Sequence, residues 1–532
     1  MSASDISDAA SDEPSSREIR EVFIGLMIVL GLAAIDQSIV ATALPRIVSE
    51  LGGVTHLSWV VTAYVLTATA TMPLYGKLAD QYGRKPVLYA AIVIFLIGSA
   101  LSGAAHSLLQ LILFRAVQGL GAGGLLPLAQ IIIGDLVPPA QRGRRQGAIV
   151  AVFAVCSVLG PLLGGLITDL LSWHWIFYVN LPIGAVSLVV IARALRRPQQ
   201  TRRRRIDYLG ATLLTAATTA LLLVLALGGT EWPWDSPEIA TSAGAAVVLG
   251  ALLVLHLRRV PEPVLPPELF SDRVFVVVCT VAALTFMGMA GSSLFFPLFF
   301  QLVMGMSASY SGVLTGPMMV GIVISSVVNG RLLLRSGRYK RTQIVGLAAA
   351  VAAFAVLAWS IATAQSLSAI EPAMLALGLG LGLVMPNMTI AVQNALPTAH
   401  RGVGTATLAF FRSLGGLIGV AGAGAILSQE LHAAGAASGT GALKPDGLPS
   451  ATLSPEAHAA LVEVYRHGIA IVFTTGVCIV GLALVMIFLM PELPLRATHA
   501  AADPMRPPLD ETAGSPSLDA EQRKPDLECA DR

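Results

Sequence analysis

Two side chains in this sequence stand where charge is expensive. Asp36 lies in the apolar run Ala34-Ile35-Asp36-Gln37-Ser38-Ile39-Val40-Ala41-Thr42-Ala43-Leu44-Pro45, and Arg115 opens Arg115-Ala116-Val117-Gln118-Gly119-Leu120-Gly121-Ala122-Gly123 inside another. A carboxylate deep in an apolar helix marks a functional site by default. Burial favours its neutral acid and a nearby cation favours its ion, so its proton can respond to what occupies a neighbouring cavity. A purely structural ion pair is the plainer reading. A guanidinium keeps its charge even when buried, so Arg115 needs a partner or water, and Asp36 is the one deep candidate. A further charged cluster falls in Gly76-Lys77-Leu78-Ala79-Asp80-Gln81-Tyr82-Gly83-Arg84-Lys85-Pro86. Its glycines permit a sharp backbone and close helix approach, and Asp80 and Arg84 are spaced to pair.

These residues need helices that cross a bilayer to hold them. The chain is 55% hydrophobic and 12% charged, with a mean hydropathy of +0.74, where a soluble domain carries about twice that charge. Apolar runs long enough to span recur along its length. Fourteen spans are expected, near 22–45, 57–76, 87–106, 108–134, 146–168, 176–195, 208–228, 239–257, 274–300, 311–332, 343–363, 372–394, 404–427 and 468–490. Of the 34 Lys and Arg, Arg46, Lys444 and Arg466 fall in one set of loops and Arg115 and Arg412 inside helices, leaving 29 for the termini and the alternate loops. That bias places both termini in the cytoplasm. Acidic, Ser-rich 1–21 and Pro-rich 491–532 are expected to be disordered tails. The basic run Arg202 to Arg205 belongs to a linker lying against anionic lipid, and nucleic-acid binding is not expected. Segment 428–467 forms an outer loop, in which Ala457, Leu461 and Val464 predict a short amphipathic lid helix.

Several chemistries are excluded. Cys156, Cys279 and Cys478 fall in apolar helices and Cys529 in the tail, with no disulfide or zinc spacing. The sequence has no phosphate-binding loop, metal cluster, nucleophile elbow or dinucleotide fingerprint. The chain therefore reads as neither an enzyme nor an ATP-driven pump, with no metal or cofactor.

The two halves repeat. Pro127, Pro138, Ala140, Arg142 and Gly143 recur 259 positions on as Pro386, Pro397, Ala399, Arg401 and Gly402, and Gly119, Gly121, Gly160 and Gly165 recur at the same shift as Gly378, Gly380, Gly419 and Gly424. Gly76, Gly83 and Arg84 recur 254 positions on as Gly330, Gly337 and Arg338. The organisation expected is a six-helix bundle over 22–200, a basic linker with an inserted hairpin over 201–272, and a second six-helix bundle over 273–490. The charges do not repeat: Asp80, Asp135, Arg115 and Gln118 have Leu334, Asn394, Met374 and Leu377 as counterparts.

The 76–86 segment resembles the loop between helices 2 and 3 of the major facilitator superfamily, G-x-L-a-D-r-x-G-r-k. The run around Asp36 resembles the helix-1 motif L-D-x-T-I-V-n-x-A-L-P of its drug:proton antiporters with fourteen helices, with Ser38 in place of Thr. Arg115 to Gly119 resembles R-x-x-Q-G, whose Arg is implicated in proton coupling. Gly160-Pro161-Leu162-Leu163-Gly164-Gly165 resembles the exporter motif G-P-x-x-G-G, although the first glycine of the longer motif is missing, since Ala154 to Ser157 holds none. Trp173-His174-Trp175-Ile176-Phe177-Tyr178-Val179-Asn180-Leu181-Pro182 resembles W-R-W-I-F-x-i-N-x-P, with His174 for Arg. The likeness covers about residues 20–490.

This resemblance implies an all-α major facilitator fold: two six-helix bundles plus the hairpin. It implies proton coupling by Asp36 and Arg115, a gating relay of Gly76, Asp80, Gly83, Arg84 and Asp135, and an exporter motif at Gly160, Pro161, Gly164 and Gly165. Tyr64, Gln118, Gln301 and Asn387 are candidate polar points in a substrate cavity with Phe295, Phe296, Phe299 and Met385 as its greasy wall, although helix packing is the plainer role for each. Arg412 could snorkel to the cytoplasm or touch substrate. The expected function is proton-driven multidrug efflux by a monomer in a bacterial cytoplasmic membrane, of amphipathic and often cationic compounds. The alternative is dedicated export of a metabolite, lipid or self-made antibiotic. A transport-dead sensor or scaffold is disfavoured by the intact charges.

Overall fold

The computed structural model describes residues 16–51, 58–137, 139–194, 207–229, 232–437 and 455–495. They form α1 (Ser16–Leu51), α2 (Ser58–Tyr82), α3 (Arg84–Gly103), α4 (Leu108–Leu136), α5 (Pro139–Leu170), α6 (Asn180–Ala194), α7 (Tyr208–Leu227), α8 (Pro237–Leu257), α9 (Arg273–Ser293), α10 (Gly316–Ser336), α11 (Tyr339–Ala362), α12 (Leu367–Ala395), α13 (Arg401–Ala437) and α14 (Pro455–Phe488), with short helical turns between some of them. Local chemistry sets several ends. Ser107, Asp207, Ser236 and Asp272 cap α4, α7, α8 and α9 through their side-chain oxygens. Gly337 closes α10 at φ 63°, donating its N–H to the Leu333 carbonyl.

Thirteen stretches among the described residues are long and apolar enough to cross a membrane. The fourteenth expected span is α2, with 25 residues, whose Thr62, Thr67, Thr69 and Thr71 dilute its apolarity. Most of those hydroxyls are satisfied inside the protein. Thr67 donates to the Ala116 carbonyl at 2.9 Å, Thr71 to the Thr67 carbonyl at 2.8 Å, and Thr69 meets Ser413 at 2.7 Å.

Helices α1–α6 pack among themselves, as do α9–α14, each set around its own buried apolar core. The sequence repeat is also a repeat of contacts. Gly119 lets α4 approach the Tyr64 carbonyl of α2, and Gly378 lets α12 approach the Met318 carbonyl of α10. Arg142 donates to the Val137 carbonyl at the end of α4, as Arg401 does to the Leu396 carbonyl at the end of α12. The α7–α8 hairpin rests on both α2 and α13, so it lies along the seam between bundles. Asp207 fastens it, accepting from Gly210 N–H at 2.8 Å and Val264 N–H at 3.2 Å and meeting His256 Nε2 at 2.7 Å.

Four expectations need correction. Residues 16–21, expected in the N-terminal tail, are helical and begin α1. The amphipathic stretch after Pro455 is no separate lid but the first turns of α14, with Leu461, Tyr465 and Ile469 buried in the core because their apolar spacing continues that of the span. The C-terminal tail begins later than 491. Leu493 and Leu495 pack on the second bundle, Asn394 donates to the Pro494 carbonyl at 3.1 Å and Lys340 donates to the Met490 carbonyl at 2.5 Å. Residues 76–82, expected in a loop, complete α2, leaving Gly83 as the turn at φ 92°. Arg202 to Arg205, Cys529, the lid loop 438–454, tail residues 1–15 and the tail beyond 495 lie outside the described residues.

Candidate functional site

Asp36 is fully buried where α1 meets α4 and the start of α6. Its Oδ2 accepts from Arg115 NH1 at 2.9 Å, and its Oδ1 accepts from Gln118 Nε2 and Asn180 Nδ2, each at 2.8 Å. Arg115 also donates to Gln118 Oε1 at 2.8 Å and to the Val60 carbonyl at 3.4 Å. Its guanidinium lies 4.1 Å from the centre of the Tyr64 ring, a favourable cation–π contact in a desolvated place. Asn180 is held in turn by Ser99 at 3.0 Å, whose hydroxyl donates to the Phe177 carbonyl at 2.9 Å. Helices α1, α2, α3, α4 and α6 therefore converge on one carboxylate. Asp36 and Arg115 pair as their depth suggests, Tyr64 and Gln118, candidates for a substrate cavity, belong to this network, and Asn180 and Ser99 complete it. The signal for Asn180 is a lone amide in the apolar stretch that follows the W-x-W-I-F run, two positions past Tyr178.

The close fit of α1 and α5 beside Asp36 depends on glycine. A Cβ at Gly160 would lie 1.8 Å from Ser38 Oγ, and one at Gly164 would lie 2.2 Å from Thr42 Oγ1 and 2.7 Å from the Ile39 carbonyl. Gly165 has nothing within 4 Å, and Pro161 is exposed. The exporter-like motif thus splits into two packing glycines and two positions facing outward.

The relay residues also come together. Arg84 Nε donates to Asp135 Oδ2 at 3.0 Å, and Arg84 NH1 donates to Asp80 Oδ1. The other oxygen of Asp80 accepts the Val403 N–H of α13 at 2.8 Å. Gly76 makes room for this crossing, since a Cβ there would meet Ala406 at 2.5 Å and the Gly402 carbonyl at 2.7 Å. One carboxylate therefore binds the first bundle to the second. Other cross-bundle contacts stand toward the same end: Gln393 Nε2 donates to the Gln130 carbonyl at 3.0 Å, and Gly147 lies against Ser326.

The phenylalanines of the expected cavity wall lie in a core. Phe295 and Phe299 are 4% and 2% exposed, packed in the core of the second bundle with Phe296. Aromatic volume fills a core as readily as it lines a cavity, and sequence does not distinguish the two. Asn387 is fully buried, bonded to Asn329 and Thr342 at 2.8 Å, and ties α10, α11 and α12 together. Gln301 and Met385 are half-buried. Arg412 does not reach an end of the molecule; its guanidinium lies 4.4 Å from the centre of the Phe286 ring on α9. Among the described residues no group of three His, Cys, Asp or Glu could hold a metal.

Two helical bundles of membrane-spanning length, with a buried ion pair in one and a charged contact between them, define a multi-pass membrane protein of the transporter kind. The chain belongs to the Major Facilitator Superfamily, whose sequence profile matches residues 26–420, a family of transporters and not of enzymes. It is 38% identical to the multidrug transporter protein MdtP of Bacillus subtilis (strain 168) over 406 residues, 76% of this chain and 75% of that protein. It is also 38% identical to multidrug resistance protein 3 of the same bacterium over 405 residues, 75% of this chain and 78% of that protein. The solved proton:xylose symporter XylE covers 92% of this chain and all of its own length at TM-score 0.63 and 14% identity, a likeness of fold alone.

Proposed function

We propose that this chain is a proton-coupled antiporter that exports amphipathic drugs or toxic compounds across a bacterial cytoplasmic membrane by alternating access, with both termini in the cytoplasm. The observation that carries this reading is the buried network in which Asp36 accepts from Arg115, Gln118 and Asn180 at once. A proton added to Asp36 removes the charge that holds Arg115 and one of the acceptor sites shared by the amides. Proton arrival and helix rearrangement are then one event. With the relay end in the cytoplasm, the Asp80–Val403 contact closes the cytoplasmic side, and the conformation is the outward-facing one. Release of Asp80 from α13 opens that side. Gly76, Gly83, Arg84 and Asp135 shape and hold the latch, while Gly160 and Gly164 let α5 move against α1. The two multidrug relatives support export, and the proton gradient is the energy source, with no cofactor.

The test is efflux of a fluorescent amphipathic dye in inverted vesicles normalised to inserted protein. Dye accumulation should follow an imposed proton gradient and collapse with a protonophore. Accumulation that survives the protonophore and requires ATP would sink the proposal.

A further inference from the structure

Buried arginines elsewhere in this chain have partners. Arg84 holds Asp80 and Asp135, Arg115 holds Asp36, and Arg142 and Arg401 hold the carbonyls that end α4 and α12. Arg412 differs: among the described residues only the face of Phe286 is set against its guanidinium, and no carboxylate acts on it. Helices α9–α14 hold no deep acid to serve it, and the one deep acid of the first bundle is neutralised by Arg115.

The direction in which Arg412 points follows from its neighbours on α13. Gly415 and Gly419 press on Ala283 and Met287 of α9, whereas Ala406 and Ser413 meet Gly76 and Thr69 of α2. At about 100° per residue, Arg412 projects between those two directions. Because α9 and α2 belong to different bundles, that sector looks into the space between bundles and away from lipid. Arg412 is largely buried there, with part of its surface still accessible. It stands next to the Thr69–Ser413 contact, and ten residues, or about 15 Å of helix, from Gly402 at the relay end. It is therefore at mid-depth.

A guanidinium stays ionised in such a place, and an uncompensated cation at mid-membrane is costly. The Phe286 face offsets part of that cost and leaves the planar fork of donors unused. An oxyanion can occupy the fork through two parallel hydrogen bonds, while Phe286 supplies apolar contact beside it. We propose that Arg412 is the anion-recognising residue of the interbundle space and that the transported compounds are amphipathic monoanions, carrying a carboxylate or like oxyanion on an apolar body. This deepens the export reading, on which it rests, by assigning the charge of the substrate.

The experiment uses full-length protein in phosphatidylcholine nanodiscs, titrated with 11-(dansylamino)undecanoic acid and with its methyl ester, and with empty nanodiscs as the control. Wild type should bind the acid about tenfold more tightly than the ester, the scale of one charge-assisted hydrogen-bonded pair. Arg412→Gln should abolish the preference and leave ester affinity unchanged, which also shows that the variant is folded. If Arg412→Gln does not fold, Arg412→Lys carries the test, with a weakened preference expected because the charge remains and the fork is lost. Equal binding of acid and ester by wild type, or a preference unchanged in either variant, overturns the assignment. Dye efflux in inverted vesicles separates the two readings. A neutral or cationic dye pumped by a protein indifferent to the acid defeats the anion site and spares export, whereas a preference for the acid with no compound moved defeats export and spares the site.

Discussion

Replacing Asp36 by Asn removes one charge from a site that is 0% exposed. The carboxylate accepts three bonds, from Arg115 at 2.9 Å and from Gln118 and Asn180 at 2.8 Å. An amide has one acceptor oxygen, so its NH2 group must face at least one donor. Arg115, 2% exposed, would lose its charged partner and keep neutral acceptors alone, Gln118 and the Val60 carbonyl among them. Removing one partner of a buried ion pair costs about 3–5 kcal/mol. Because the amide imitates the neutral acid, proton uptake at Asp36 should disfavour this conformation on the same scale, about a hundredfold or more in population. The assay is thermal unfolding in detergent of wild type, Asp36→Asn, Arg115→Gln and the double variant. Each single change should lower the midpoint. The double variant should fall no further than the worse single, because no unpaired charge remains, giving a coupling of at least about 3 kcal/mol. In inverted vesicles Asp36→Asn should not concentrate dye under a proton gradient. Additive losses in the cycle, or wild-type pumping by Asp36→Asn, would refute the reasoning.

Asp80→Asn weakens the acceptor for Arg84 and the Val403 N–H; turnover should slow while dye affinity in detergent stays near wild type, and a large affinity loss with unchanged turnover would instead place Asp80 in the binding site. Gly164→Ala should destabilise the α1–α5 contact and depress transport, whereas Gly165→Ala should be neutral in both, since its Cβ meets nothing within 4 Å; equal effects of the two would contradict the packing argument. Asp207 provides the pH test. Burial, its largest influence, raises its carboxyl pKa, but the bonds from His256, Gly210 and Val264 outweigh it and hold the group below the usual carboxylate range. A depressed acid stabilises the fold above its unfolded value of about 3.9, and the contribution is lost as pH falls through the folded value. Protection of α7 and α8 against hydrogen exchange, relative to the intrinsic rate at each pH, should therefore fall below about pH 4 in wild type and already at neutral pH in Asp207→Ala; protection that ignores both changes would remove Asp207 as the hairpin's fastener.

Much of this protein could be read from residue order because the bilayer simplifies the code. Uninterrupted apolar runs must be helices when no water is present to satisfy the backbone, so spans were legible even where their ends were not. The internal repeat was legible as well, since glycines at helix crossings tolerate no side chain: Gly119 and Gly378 are spaced alike because each lies against the carbonyl of a neighbouring helix. Asp36 and Arg115 announced themselves by cost, as the deep charges of the first bundle. Tertiary structure decided what those charges touch. Asn180 reaches Asp36 across 144 positions of sequence and is itself held by Ser99 across 81, and periodicity carries no information at that range. It also decided that Phe295 and Phe299 fill a core, because a buried aromatic and a cavity-lining one have the same helical spacing. Arg412 shows both limits at once. Its position in an apolar helix was plain from the sequence, but its lack of a carboxylate partner is a property of everything packed around it, and only the assembled bundles could show that.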